Sequence, residues 1–127
     1  AIKAGAAAIV VSNHGGRQLD SVPATIDVLP AIAEEVRGQI PIFIDGGIRR
    51  GTDIFKAVGL GASAVMFARP AVYALAVGGE QGVSRMMRLL YDELETTMKL
   101  AGCTNLSQIR SRILRSAAAQ GLPSSVI

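Results

Sequence analysis

A stretch near the start of the chain, SNHGGRQLD at residues 12–20, brings an imidazole and a guanidinium together directly after an apolar run. It holds His14, the one histidine of the sequence, and Arg17. Imidazole takes up and returns protons near neutral pH, so His14 could act as a general base. Arg17 could hold a planar carboxylate by two parallel hydrogen bonds. Asp45, which follows the next apolar run, could fix one tautomer of His14 and stabilise its protonated form.

Two further loops have the residue types of a phosphate site. DGGIRRG, at residues 45–51, contains two glycines, so backbone N–H groups can come close to a ligand. Arg49 in this loop and Arg69 in the later sequence ARP carry guanidinium forks that match phosphate geometry. A short helix after Pro70 would add the positive end of its dipole. The competing interpretation is that these arginines only face solvent, and Arg50 fits that interpretation better than a ligand role.

The elements that position these loops follow from apolar patterning. Short apolar runs rich in β-branched residues predict three strands, over residues 7–11, 42–44 and 64–67. They lack polar alternation, which is typical of parallel strands buried on both faces. Apolar residues at helical spacing lie between them, over residues 24–37 and 51–61. Pro30 is expected to break the first of these helices or to open its second part.

The second half of the sequence predicts mostly helix. Thr52 or Asp53 is the expected N-terminal cap of the helix at 51–61. After ARP we expect a short helix and then a long amphipathic helix from about Gly82 to Leu100. The apolar stripe of that long helix comprises Val83, Met86, Met87, Leu90, Leu94 and Met98. A short helix near residues 107–114 should precede a loose tail.

A weak internal repeat indicates the fold. KAGAAAIVVSN at residues 3–13 resembles GLGASAVMFAR at residues 59–69, and in each a glycine precedes a strand and a polar loop. Gly5 and Gly61 are separated by two units of about 28 residues, a spacing that suits a TIM (β/α)₈ barrel. The sequence therefore predicts an α/β fold made of about three β/α units, the C-terminal part of such a barrel. A small doubly wound sheet is the alternative, but three strands make a poor one.

Composition excludes several classes of protein. Of the 127 residues, 50% are hydrophobic and 18% charged, which is typical of a globular domain with a large interior. No apolar run reaches the roughly 18 residues of a membrane span. The net charge of +3 is spread without a Lys/Arg run, and only 4% of residues are aromatic, so nucleic-acid binding is not predicted. The single cysteine, Cys103, excludes an internal disulfide and is interpreted as structural. No metal site is predicted.

Taken together, SNHGGRQLD, FIDGGIRRGTDIFKA and ARP, in this order and at these spacings, resemble the FMN-dependent 2-hydroxy acid oxidases and dehydrogenases. The glycolate oxidase type is the most similar. The later segment RLLYDELETTMKLAGCTNLSQI resembles the C-terminal segment of the same family. The resemblance covers residues 1 to about 113, and we expect a barrel domain over 1–116 followed by a flexible tail over 117–127.

The resemblance implies a role for each matching residue. His14 matches the active-site base, Arg17 the arginine that binds the substrate carboxylate, and Asp45 the aspartate partner of the histidine. Ser12 matches a residue that contacts the flavin. The FMN phosphate loops match two short stretches, made of Asp45, Gly46, Gly47, Ile48 and Arg49 and of Ala68 and Arg69. One departure is that the family commonly has Gly where Ala68 stands, which matters only if that position needs a positive φ.

The implied activity is oxidation of a small L-2-hydroxy acid, such as glycolate or lactate, to the 2-oxo acid with FMN as cofactor. Two rival hypotheses stay open: another FMN-binding barrel oxidoreductase, and a catalytically incompetent fragment. The second arises because the flavin-contacting lysine of the family lies on an earlier strand that this sequence does not contain. The sequence does not choose between proton removal from the α-carbon and from the hydroxyl, nor between oxygen and another electron acceptor.

The resemblance also carries expectations about assembly and location. It implies a homo-oligomer, a tetramer, for the full-length protein. It implies an intracellular enzyme and is compatible with the peroxisome, although the sequence ends in SVI and not in an SKL-type signal.

Overall fold

A computed structural model describes residues 1–109 and residue 114 of the chain. Three short strands form one sheet in the order β1-β2-β3: β1 is Ile9–Val11, β2 is Ile42–Ile44 and β3 is Ala64–Val65. Both pairings are parallel, with Val11 opposite Ile44 and Ile44 opposite Val65. The three predicted strands are confirmed, and parallel pairing brings the loops after all three strands to one edge of the sheet.

Helices connect the strands and follow the last one. The helices are α1, Thr25–Val36; α2, Gly51–Gly59; and α3, Arg69–Leu100. Short 3₁₀ turns lie at Ile2–Ala4 and Leu106–Gln108. The order β1-α1-β2-α2-β3-α3 with parallel strands is the repeated β/α unit that the sequence predicts. Within the described residues, no helix is long and apolar enough to cross a membrane.

The main core lies between one face of the sheet and the helices. Leu29 of α1 and Ile44 of β2 are completely buried, and Ile42 and Val11 pack with them. The other face of the sheet is open: Val10 is 50% exposed and Met66 is 45% exposed. The expectation that the strands are buried on both faces was therefore wrong for this chain. The neighbours that would cover the second face are not among its three units.

Pro30 does not interrupt α1, contrary to the expectation from sequence. The helix runs continuously from Thr25 to Val36 with Pro30 inside it. Pro30 is exposed, so its ring points away from the core, and it removes only one backbone hydrogen bond. Burial of Leu29 and Val36 on the same helix outweighs that loss.

α3 consists of two helical segments, as predicted, joined at a glycine pair. Gly78 and Gly79 have non-helical dihedral angles, and Gly79 has a φ of 56° that favours glycine. In the second segment Leu90 is buried, and Met86 and Leu94 are half-buried. Met87 is 50% exposed, so its assignment to the apolar stripe was wrong. Successive residues of an α-helix are rotated by about 100° around its axis. Met87 therefore lies on the flank of the stripe that contains Met86.

The start of α2 is clamped by α3. The backbone N–H of Gly51 donates to Glu93 Oε2 over 2.8 Å, and a Cβ at Gly51 would clash with the backbone N of Leu94. The Asp53 carboxylate accepts the N–H groups of Arg49 and Arg50, over 3.0 Å and 2.9 Å. The Asp53 side chain, at the third position of α2, thus accepts hydrogen bonds from backbone N–H groups at the start of the helix. The N-cap residue itself is Arg50, and not Thr52 or Asp53 as predicted.

This close approach predicts that Gly51→Ala strongly destabilises the protein. The added methyl group would meet backbone atoms of α3, which cannot rotate away, and overpacking of this kind costs about 1–3 kcal/mol or more. Thermal or urea unfolding of the full-length protein measures the effect. Gly78→Ala is the matched control, because a Cβ there meets no heavy atom within 4 Å and φ is −142°. Equal stability of the two variants would contradict the close packing of α3 against Gly51.

Cys103 is buried beside Phe55 and Ile109 in a second small core between α2 and α3, in agreement with a structural cysteine. The helix predicted near residues 107–114 is represented by the 3₁₀ turn Leu106–Gln108. Residues 110–113 and the predicted tail at 117–127 lie outside the described residues.

Candidate active site

The loops after the three strands enclose one cleft of about 400 Å³ at the C-terminal edge of the sheet. It brings together every candidate substrate, catalytic or FMN-binding residue proposed from sequence except Ser12. The cleft is lined by His14, Gly15, Arg17, Asp45, Gly46, Gly47, Ile48, Arg49, Met66, Phe67, Ala68, Arg69 and Pro70. In a parallel α/β barrel this edge is where ligands bind, so the position of the cleft agrees with a functional site.

The loop that carries His14 is a sharp left-handed turn. His14, Gly15 and Gly16 have φ values of 54°, 67° and 74°. The loop satisfies its own backbone: the His14 N–H donates to Ser12 Oγ over 3.1 Å, and the Gly15 N–H donates to Asn13 Oδ1 over 3.0 Å. Positive φ is easy for the two glycines but unfavourable for a histidine. A strained backbone at an exposed histidine beside a cleft is a feature of functional positions.

The third loop touches the first at Gly15. A Cβ on Gly15 would lie 2.8 Å from Arg69 Nη2, so the Arg69 guanidinium lies directly against this glycine. These contacting atoms belong to the flexible end of the Arg69 side chain, so glycine is favoured at position 15 by its φ of 67° and not by lack of space. The contact brings the candidate phosphate arginine to the loop of the candidate base.

Ala68, where the family commonly has glycine, is compatible with the site. Its φ is −113°, a value that any L-residue adopts. The departure from the family pattern therefore carries no conformational penalty. Ala68 precedes the first residue of α3, so the start of this helix borders the cleft.

The middle loop has backbone donors that are free in the described part of the chain. In the described part of the chain, the backbone N–H groups of Gly46, Gly47 and Ile48 form no hydrogen bond. The next N–H groups are already used, because Asp53 and Glu93 accept those of Arg49, Arg50 and Gly51. An anion in this cleft would therefore meet the glycine loop and the α3 start, and not the α2 start.

Asp45 lines the same cleft as His14, but the two side chains are not joined. Among the described residues there is no hydrogen bond or ion pair between them. Asp45 Oδ1 is buried and has no hydrogen-bond partner in that part of the chain. A buried carboxylate oxygen without a donor is costly. Asp45 Oδ1 is thus available to accept a hydrogen bond from a donor at the cleft, such as the imidazole of His14.

Ser12 and Arg50 stand apart from this cleft. Ser12 lines a neighbouring depression, together with His14, and its hydroxyl is engaged by the His14 N–H. Arg50 is 73% exposed at its side chain and lies 3.9 Å from Glu93 Oε1, which fits the solvent-facing position predicted for it.

Sequence reasoning missed two side chains that hold the loops. Asn13 accepts the Gly15 N–H, and Thr25 donates its hydroxyl to the Asp45 carbonyl over 2.5 Å. The Asn13 contact has a sequence signal, since an Asn two residues before a Gly often forms such a turn. The Thr25 contact spans 20 residues and has no local signal.

The fold and the cleft define a class of protein: part of an α/β barrel whose C-terminal edge carries arginines, free backbone donors and a histidine. Comparison with known families then identifies the lineage. The model of the FMN-dependent dehydrogenase family matches residues 1–116, so the chain belongs to that family. FMN is the cofactor of the family, and the resemblance seen in the sequence motifs is confirmed.

Relatives and solved structures agree with this assignment. The chain is 57% identical over 109 residues to glycolate oxidase 3 from Oryza sativa subsp. indica and 58% identical to glycolate oxidase 1 from Zea mays, in each case over 86% of this chain. It superposes with a TM-score of 0.84 on a protein described as a lactate oxidase from Pediococcus acidilactici, at 50% identity over 87% of this chain. A mandelate oxidase variant with an FMN adduct gives a TM-score of 0.83 at 48% identity over 86% of this chain.

The chain spans about 30% of the length of the plant relatives, 31% of the lactate oxidase chain and 35% of the mandelate oxidase chain. The predicted fold class, part of a (β/α)₈ barrel, is confirmed by the parallel β/α units and by these partial matches. Its three units correspond to one stretch of a longer barrel, which also accounts for the open face of the sheet.

Proposed function

We propose that the full-length protein oxidises a small L-2-hydroxy acid to the corresponding 2-oxo acid with FMN as cofactor. The observation that carries this proposal is a single cleft lined by His14, Arg17 and both candidate phosphate loops. A base beside a carboxylate anchor suits a 2-hydroxy acid, and the adjoining free donors suit the phosphate of FMN. The names of the relatives, which are glycolate, lactate and mandelate oxidases, support the same class of substrate.

The residues present fit the phosphate end of FMN. Free N–H groups of Gly46, Gly47 and Ile48 lie at the same edge as the guanidinium groups of Arg49 and Arg69. Charge-assisted hydrogen bonds from arginine and backbone donors are the usual means of binding phosphate. Bound there, FMN would supply the acceptor for the two electrons that leave the substrate.

Arg17 and His14 would have different roles toward the substrate. The Arg17 guanidinium would hold the carboxylate by two parallel hydrogen bonds and so fix the direction of the α-carbon. The His14 imidazole would take one proton, from the α-carbon or from the hydroxyl group. Loss of two electrons and two protons converts the 2-hydroxy acid to the 2-oxo acid. His14 would take one of those protons, and the other would go to FMN, either with the two electrons as a hydride or in a separate step.

Asp45 would stabilise His14 in its protonated form. Its Oδ1 atom is buried, without a hydrogen-bond partner among the described residues, and Asp45 and His14 line the same cleft. A carboxylate paired with the imidazolium would select one tautomer before the reaction and balance the positive charge after it.

The visible absorbance of the purified full-length protein tests the proposal. We expect the spectrum of a bound flavin, release of FMN on denaturation, and loss of the visible absorbance when glycolate or L-lactate is added without oxygen. A full-length protein that binds FMN but keeps its absorbance with both acids would favour another FMN-dependent barrel oxidoreductase. A protein without flavin, even after incubation with FMN, would contradict the cofactor assignment.

Arg69→Ala should weaken FMN binding far more than substrate binding. Removal of a charge-assisted contact costs about 1.5–3 kcal/mol, so the variant should lose flavin on dilution. Flavin fluorescence during titration of the apoprotein measures the dissociation constant. Arg50→Ala is the matched control, because Arg50 is also an arginine of the loops after the strands but does not line the cleft. Unchanged FMN affinity in Arg69→Ala would show that Arg69 is not a phosphate ligand.

A further inference from the structure

Thr25 is an unusual residue of α1, because it is a buried polar side chain that faces the candidate phosphate loop. It is 4% exposed and lies at the first position of the helix. Its hydroxyl donates to the Asp45 carbonyl over 2.5 Å and lies 3.4 Å from the Gly46 carbonyl. Thr25 does not line the cleft itself. Its contacts are with the backbone that leads from β2 into the glycine loop.

The position of the Asp45 carbonyl decides where the next N–H group points. A trans peptide unit is planar, and its C=O and N–H bonds point in opposite directions. The described residues contain no cis peptide bond. Because Thr25 holds the Asp45 carbonyl toward α1, the Gly46 N–H of the same peptide unit is directed away from α1. The weaker contact to the Gly46 carbonyl acts in the same way on the Gly47 N–H.

The conformation of the glycine loop depends on the Thr25 contacts, because its own residues restrict it little. Gly46 and Gly47 have φ values of 83° and 86°, and two adjacent glycines offer many alternative backbone conformations. Gly46 is packed from behind, since a Cβ there would lie 3.2 Å from Thr25 Oγ1 and 3.1 Å from Asn13 Oδ1. The space behind Gly46 is filled by the two side chains that hold the loops.

We infer that Thr25 is a positioning residue for the anion-binding donors of the glycine loop. Its hydroxyl orients the N–H groups of Gly46 and Gly47 toward a phosphate group without touching that group. The inference rests on the proposed function, in which this loop receives the phosphate of FMN. It assigns the specificity for a phosphorylated flavin in part to a side chain behind the loop.

Thr25→Val in the full-length protein removes the hydroxyl and keeps the shape of the side chain. The measurement is the affinity of the apoprotein for FMN and for riboflavin, which has the same ring system without the phosphate. Loss of the hydrogen bond should lower the preference for FMN over riboflavin about tenfold, because the freed carbonyl no longer fixes the donors. A general loosening of the structure would weaken both ligands alike. Thr97→Val is the matched control, because its hydroxyl donates to the Glu93 carbonyl over 2.7 Å within α3.

The outcomes separate this inference from the proposed function. A parent protein that prefers FMN, with an unchanged preference in Thr25→Val, would overturn the role of Thr25 alone. A parent protein that binds FMN no better than riboflavin would overturn the phosphate assignment as well. If Thr25→Val does not fold, Thr25→Ser and Thr25→Ala give the same comparison. The hydroxyl of serine should keep the preference for FMN and alanine should lose it, and equal preference in the two variants would overturn the inference.

Discussion

In the full-length protein, His14→Gln should slow reduction of the bound flavin by 2-hydroxy acid by about 10²–10⁴-fold, the range that a positioned general base contributes. Glutamine can still donate and accept hydrogen bonds, but it cannot take the proton that leaves the substrate. FMN should stay bound, because His14 is not among the candidate phosphate donors. Anaerobic stopped-flow absorbance over a range of substrate concentrations measures the reduction rate separately from substrate affinity.

The backbone at His14 calls for a second variant. Its φ of 54° is strained for most side chains, and asparagine adopts this region more readily than glutamine. His14→Asn should therefore keep the turn while it removes the base, and it should be as slow as His14→Gln. Reduction at close to the parental rate in either variant would mean that another group accepts the proton.

Arg17→Lys should impair both substrate affinity and the reduction rate. Lysine keeps the positive charge but loses the planar fork that makes two parallel hydrogen bonds. Loss of one charge-assisted hydrogen bond costs about 1.5–3 kcal/mol, which corresponds to roughly 10- to 150-fold in kcat/KM. The rate should fall as well, because a carboxylate held at a single point leaves the α-carbon poorly directed.

The same stopped-flow series distinguishes Arg17 from His14. His14 variants should lose rate with little change in affinity, whereas Arg17→Lys should change both. Arg37→Lys is the control for the substitution itself, since Arg37 is exposed at the end of α1, outside the cleft. Parental kinetics in Arg17→Lys would exclude the carboxylate role.

Much of the fold could be predicted because the local signals agree with the tertiary structure. β2 occupies the predicted residues 42–44, and α1 and α2 fill the predicted helical stretches. Pro30 was misjudged because the penalty for proline is local, whereas the burial of Leu29 against the sheet is not visible in sequence. The open face at Val10 could not be predicted from an apolar run, since such a run does not tell which neighbours are present in the chain.

The site was predictable to the extent that its residues follow strands directly. Parallel strands place the loops at residues 12–20 and 45–51 at one edge, and the structure gathers them with Arg69 in one cleft. What could not be predicted are contacts across the chain, such as Thr25 with Asp45 and Arg69 with Gly15. These depend on the packing of α1 and the start of α3, and no spacing in the sequence encodes them.

A single-turnover reaction of the full-length protein shows whether bound FMN takes two electrons from an L-2-hydroxy acid. The oxygen-free FMN-loaded protein is mixed with L-lactate or D-lactate, and both the flavin absorbance and the organic product are measured. We expect L-lactate to remove the oxidised-flavin absorbance and to yield one pyruvate per FMN, and D-lactate to react far more slowly. A flavin that stays oxidised with L-lactate and with glycolate, or absorbance lost without formation of a 2-oxo acid, would contradict the proposed function.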